Sequence, residues 1–140
     1  MTDAAFFPAD YKSFRFVAGD VIAQPEEGQY VLTRILSVDE IEVPQGGGIT
    51  IAGTTMTATV RDTLLVVSCA FDQTRYPTPE AARAAFEAGR WEPSMLHVPL
   101  RTVFLGPDDV RVGHRPVDPA ELDGYHLWRD AFARGEAGIF

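Results

Sequence analysis

Reactive side chains are few in this chain and widely spaced. His97, His114 and His126 stand seventeen and twelve residues apart, which fits no compact metal motif. His97 and His114 are expected to meet across a hairpin, but without a carboxylate at a ligating spacing they read as surface residues. Cys69 is the only cysteine, so it has no disulfide partner and no companion thiolate for zinc. It lies inside the apolar run Thr63–Phe71, where burial raises a thiol pKa, with neither a helix N-terminus nor a flanking cation to activate it. Carboxylates come side by side as Glu26-Glu27, Asp39-Glu40 and Asp108-Asp109, with Glu42 close by. Neighbours on a strand or turn splay apart and do not face one substrate as an acid and base, so these read as solvated turns. Gly46-Gly47-Gly48 lacks the Lys-Ser/Thr and the following helix of a phosphate loop and reads as a turn.

The elements that would position these groups are mostly strands. Phe14–Ser37 (FRFVAGDVIAQPEEGQYVLTRILS) is expected to form three extended segments, turning at Gly19-Asp20 and at Pro25–Gly28. Its Val, Ile, Tyr, Thr and Phe suit a pleated surface. Thr63–Phe71 reads as a central strand, being short for a helix and rich in β-branched residues. Met95–Phe104 alternates, with Leu96, Val98, Leu100 and Phe104 on one face and His97, Pro99 and Arg101 on the other. Gly106–Asp109 then suits a hairpin loop returning through Val110 and Val112. Pro99 cannot donate to a ladder, which makes this strand an edge or a bulged one.

Two helices are expected. Thr78 as N-cap, Pro79 at the first position, Glu80 near the positive dipole end and Gly89 as stop frame the first, over about 79–88. The second, over about 119–134, starts at Asp118-Pro119. It carries Tyr125, Trp128, Ala131 and Phe132 as one apolar stripe. Such a stripe is core before it is a pocket lining, as are Phe14, Phe16 and Tyr30. Met1–Ser13 reads as irregular with Phe6-Phe7 tucked in, and Gly138-Ile139-Phe140 as a docked apolar tail. The fold class expected is α+β: a mainly antiparallel bent sheet, or a partly open β-barrel, of six to eight strands with two covering helices.

The 140 residues fit a single domain, 1–140, with an ordinary apolar fraction of 46%. The start has no basic n-region and no window approaches the ~18 apolar residues of a span, so a cytoplasmic location is expected and a membrane is not. The net charge is −8 and eleven of the twelve basic residues are arginine. An acidic surface disfavours nucleic acid and suits a basic protein partner.

One stretch resembles a known group. Gly19-Asp20-Val21-Ile22-Ala23-Gln24-Pro25, followed by Gly28–Leu36 with Arg34, is similar to the opening of small β-rich bacterial immunity proteins of polymorphic toxin systems. The resemblance covers about a fifth of the chain and implies a mostly β, non-enzymatic, cytoplasmic protein that neutralises a toxin by binding it. The expected function is therefore a non-catalytic protein-binding module. Glu26, Glu27, Asp39, Glu40, Glu42, Asp108 and Asp109 would face a basic partner, and no cofactor or metal is expected. Rival readings are a small ligand-binding barrel or enzyme with a cavity near Cys69, His97 or Arg34, and a structural homodimer using the His97–Arg101 strand or the Ile139-Phe140 tail.

Overall fold

The computed structural model describes residues 5–140, so Met1 to Ala4 of the expected irregular start lie outside the described residues. The chain is α+β, as expected. Five antiparallel strands form one open sheet in the order β6-β5-β2-β1-β7: β1 Asp20–Glu26, β2 Gln29–Val43, β5 Asp62–Tyr76, β6 Met95–Arg101 and β7 Val110–His114. Strands β3 (Gly48–Ile51) and β4 (Thr54–Thr57) make a separate two-stranded sheet. The large sheet is open and is not closed into a barrel. Both long hairpin turns place two residues at positive φ, Glu27-Gly28 at 51° and 81° and Ala52-Gly53 at 52° and 81°. This is the turn whose twist matches paired strands.

Helix α1, Pro79–Glu87, begins as read: the Thr78 hydroxyl accepts from the Ala81 amide at 3.1 Å. The second helical stretch is a 3-10 turn, Pro119–Leu122, running into α2, Asp123–Ala133. Both helices lie on one face of the sheet. Against α1 pack Val21, Ala23, Leu32 and Val112, and Ile41, Leu64 and Val66 share a core cluster with the Trp128 ring of α2. Leu32 and Ile41 are an odd number of residues apart, so plain alternation would put them on opposite faces. A register shift in β2 between Ile35 and Ser37 adds one residue and turns both toward the helices.

The other face holds Phe16, Ile22, Ile35, Val67, Cys69, Val98 and Leu100. Two sequence readings are corrected here. Phe14–Ala18 is not a strand; it crosses this face as irregular chain and buries Phe16. Strands β6 and β7 are not a hairpin, since β6 pairs with β5, β7 pairs with β1, and they are the two edges of the sheet. The alternation of β6 stops at a 3-10 turn, Thr102–Phe104, anchored by the Thr102 hydroxyl on the Asp10 carbonyl. From there residues 102–109 cross to the far edge. Arg15 clamps that crossing by donating to the carbonyls of Gly106 (3.0 Å) and Asp109 (2.8 Å).

At the centre is Arg34, a charged side chain with no exposed surface. Its Nε and Nη2 bind the two carboxylate oxygens of Glu121 at 2.9 and 3.1 Å. Nη1 donates to the Gly19 carbonyl at 2.7 Å, and Nη2 also reaches the Pro116 carbonyl at 3.1 Å. Glu121 in turn accepts the Asp118 amide, closing a capping box at the start of the 3-10 turn. Arg34→Met leaves Glu121 and two carbonyls without their donors, and a buried pair broken from one side costs about 3–5 kcal/mol. Denaturant midpoints should show that loss. Glu121→Gln, which keeps part of the hydrogen bonding, should lose about 1–3 kcal/mol.

Candidate functional site

Strand alternation puts Ser68 on the helix side of β5 and Cys69 on the other. His97 of β6 stands beside Ser68, with Nε2 2.9 Å from Oγ. Its ring packs near Tyr125 and Trp128 of α2, centroids 6.1 and 5.7 Å away. α2 can approach only because residue 124 is glycine: a Cβ there would lie 2.9 Å from that of His97. The Tyr125 hydroxyl donates to Asp39 at 3.0 Å, and Ser37 donates to the other oxygen at 3.2 Å. Serine, histidine, aspartate and tyrosine thus gather under one helix, which residue spacing did not reveal. Serine beside histidine is a nucleophile–base pair in form. Here Ser68 has no exposed surface, so a substrate carbonyl has no approach to Oγ, and the group works as a polar seam under α2. Burial holds the His97 ring below its ordinary 6.5, with the Asp39 carboxylate opposing.

Cys69 lies across the sheet from that seam, fully buried among Ile22, Ile35, Val67, Val98 and Leu100. Burial first, and the Asp109 charge second, push its thiol pKa far up. No histidine converges on it, and His97 and His114 sit on opposite edge strands. Arg34 faces no cavity; its donors are spent inside the fold.

The acids named from sequence are dispersed. Glu26 and Glu27 hold Arg75 at 3.4 and 3.3 Å at the β1–β2 turn. Glu42 pairs with Arg61 at 2.7 Å, Glu40 and Asp108 are exposed, and Asp39 is bonded under α2. Asp109 is buried. Burial raises its carboxyl against the opposing pull of Gln24, the Gly106 amide and Arg15, and Gln24 donates to it at 3.0 Å. Glu27 and Glu40 stand at opposite ends of β2, roughly 40 Å apart at the strand rise. They do not form one small patch.

Two hollows border the first residues of β6, one on each face. The first, about 310 Å³, has Pro25, Val31, Phe71 and Met95 as its apolar lining, with Gln24, Glu26, Asp72 and Gln73 as its polar residues. The second, about 370 Å³, lies on the helix side over Leu36, Ala70, Trp91 and Leu96, bordered by Arg115, Asp118, Glu121 and Asp123. Both are at the low end for small-molecule sites and suit single large side chains. Leu96 reaches the helix side because the β5–β6 register shifts between Cys69 and Phe71. This corrects the reading that grouped it with Val98 and Leu100, which remain on the other face. The sequence signals were Pro99, which marked the edge, and the apolar Met95-Leu96 pair before it.

A histidine held neutral by burial binds fewer protons folded than unfolded, so stability falls as pH drops from 7 through the folded pKa of His97 and levels off below it. Chemical denaturation at several pH values should show that slope, and His97→Gln should flatten it. Cys69 should resist thiol reagents at neutral pH in the native protein and react once denaturant unfolds it, as a labelling time course would show. No family model, curated protein or solved structure matches the chain, so the reading of this site stands on its geometry alone.

Proposed function

We propose that this protein is a non-catalytic binding module whose partner is a basic protein, in the manner of an immunity protein neutralising a toxin. The observation that carries the reading is the disposal of its reactive groups. Ser68 and Cys69, the side chains best suited to nucleophilic work, have no exposed surface and lie on opposite faces of one strand. Arg34, the arginine of the immunity-like stretch, donates to the Gly19 carbonyl of that same stretch and is spent inside the fold. What remains outside is a net charge of −8, an open sheet edge and shallow hollows. A field of that sign steers a cationic partner and rejects nucleic acid. Among the described residues no helix is long and apolar enough to cross a membrane.

Basic toxin domains of polymorphic toxin systems, any encoded beside this chain first, are the partners to test. Stopped-flow association with such a domain should slow roughly tenfold or more between low and physiological salt, with dissociation less affected. An on-rate indifferent to salt removes the electrostatic basis, and absence of association with every such domain removes the reading.

A further inference from the structure

We infer that the open half of the β6 edge, Met95–Val98, is where the partner is bound, and that it takes an extended segment in which apolar and basic side chains alternate. This rests on the binding-module reading above and names its surface.

The edge already accepts an added main chain. Beside Pro99–Arg101 the chain's own end lies as a strand would: the Phe140 amide donates to the Pro99 carbonyl and the Arg101 amide to the Phe140 carbonyl, both at 2.9 Å. The Arg101 guanidinium fastens the same carbonyl at 3.1 Å. Ile139 continues this seam onto β3, its amide donating to the Thr50 carbonyl at 2.9 Å and its carbonyl accepting from the Ala52 amide at 2.8 Å. Toward Met95 the tail makes no main-chain hydrogen bond to β6 beyond Pro99. Among the described residues no strand pairs with the outer side of Met95–Val98.

Exposed edges are ordinarily guarded by charge, above all lysine. Met95–Val98 carries no Asp, Glu, Lys or Arg, although such residues make up 23% of the chain. Its one titratable ring, His97, is turned inward onto Ser68. Met95 is 43% and Leu96 69% exposed. These two large apolar residues sit on opposite faces at the unguarded place.

The two hollows supply the specificity. An added strand sends successive side chains to opposite faces, and strand addition reads sequence through pockets for alternate side chains. One set meets the apolar lining of Val31, Phe71 and Met95, which takes an apolar residue or the stem of a longer one, with Glu26 and Asp72 also bordering it. The other meets Trp91 and Leu96 with Asp118 and Asp123 beside Arg115, the Glu121 carboxylate at the same border being already held by Arg34. That surface asks for a long cationic side chain, its stem on the apolar floor and its head among the carboxylates. The sign agrees with the charge of the whole chain.

The test uses the full chain labelled for amide NMR and a short capped peptide alternating valine and arginine. Binding should shift the amides of Met95–Val98 and of Val31, Phe71 and Trp91. It should weaken at least tenfold when glutamate replaces the arginines, and likewise when alternate residues are made proline, which cannot donate to the edge. Met95→Lys with Leu96→Lys alters only exposed side chains, so the melting temperature should hold while peptide affinity falls at least tenfold. Equal binding of the basic and acidic peptides overturns the inference, as do shifts confined to the Glu40–Glu42 end. Self-association of the free protein abolished by the lysine pair also overturns it, in favour of a second copy of this chain. A toxin domain that binds the wild type and the lysine pair equally refutes this surface while leaving the binding-module reading intact. No toxin association at all defeats that reading instead.

Discussion

A single buried guanidinium constrains the rest of this structure. Arg34 lies in the middle of the most central pair of strands, where ionic groups are costly to desolvate. That cost is met by satisfying the fork from four directions: two carboxylate oxygens of Glu121 and the carbonyls of Gly19 and Pro116. An arginine suits this position better than lysine because its planar donors can hold several separate chain segments at once. Those segments are the turn into β1, the chain after β7 and the 3-10 turn before α2. Fixing Glu121 fixes the capping box with Asp118, and with it the acidic border of the helix-side hollow. A core interaction thereby sets the electrostatics of a surface feature. Gly19 belongs to the same arrangement. Its φ of 96° and the 2.8 Å that a Cβ would leave to the Arg115 carbonyl admit glycine there with least strain. Next to it, burial would raise the Asp20 carboxyl, but the Val17 amide, His114 and Arg111 overcome this and hold it low.

The sheet acts as a partition, and this governs what its residues can do. On the helix side polar groups are allowed but each is answered: His97 by Ser68, Tyr125 by Asp39, the Trp128 ring nitrogen by the Gly138 carbonyl at 2.8 Å. Among the described residues no buried side-chain nitrogen or oxygen is left without a partner. The other side is apolar around Cys69 and roofed by irregular chain, residues 12–18 and 102–109. Irregular roofing brings backbone polarity with it, and Arg15, Gln24 and the Thr102 hydroxyl satisfy part of it. Residues adjacent in sequence can therefore be far apart chemically, as Ser68 and Cys69 are. Proximity along the chain is a poor guide to a site here.

That same fact decides what was legible in the sequence. Helix α1 was readable because its signals are local: the Thr78 cap, Pro79, a run of alanines and Gly89. The aromatic stripe of α2 was readable for a similar reason, through its 3.6-residue period, and Thr63–Phe71 through an unbroken apolar run. The supposed β6–β7 hairpin failed because alternation and a Gly-Pro loop are local too, whereas the decision to leave the sheet at Thr102 is made by contacts with residues 10 to 16. Phe14–Phe16 reads as strand by composition yet serves as a lid, since residue type specifies burial and not pairing. The two register shifts were invisible. One moved Ile41 to the helix side and the other moved Leu96 away from Val98. The hollows draw on β1, β2, β5 and the loops around β6, so no contiguous pattern announces them. The acidic residues were visible but misleading as a group, because two of them, Asp39 and Asp109, are engaged inside the fold.

The two edges of the sheet show how differently one chain treats the same hazard. An unpaired edge invites other strands. At β7 the invitation is withdrawn: α1 packs there, the Phe86 ring sits where a Cβ on Gly113 would be 3.0 Å away, and Arg83 reaches the Arg111 carbonyl. Arg111 adds charge there, paired with Asp20 at 3.0 Å. At β6 Phe140 pairs with Pro99 and Arg101, while the beginning of the strand is unpaired on its outer side, apolar and flanked by hollows. If shielding against aggregation were the only requirement, the cheaper solution would be a lysine at position 95 or 96, where side chains are exposed and packing is indifferent to the change. The cost of leaving such residues apolar falls on solubility, and a net charge of −8 offsets it for the molecule as a whole without closing the edge. The open edge and the acidic charge are therefore separate features, one local to β6 and one spread over the whole surface, and the proposed binding reading needs both.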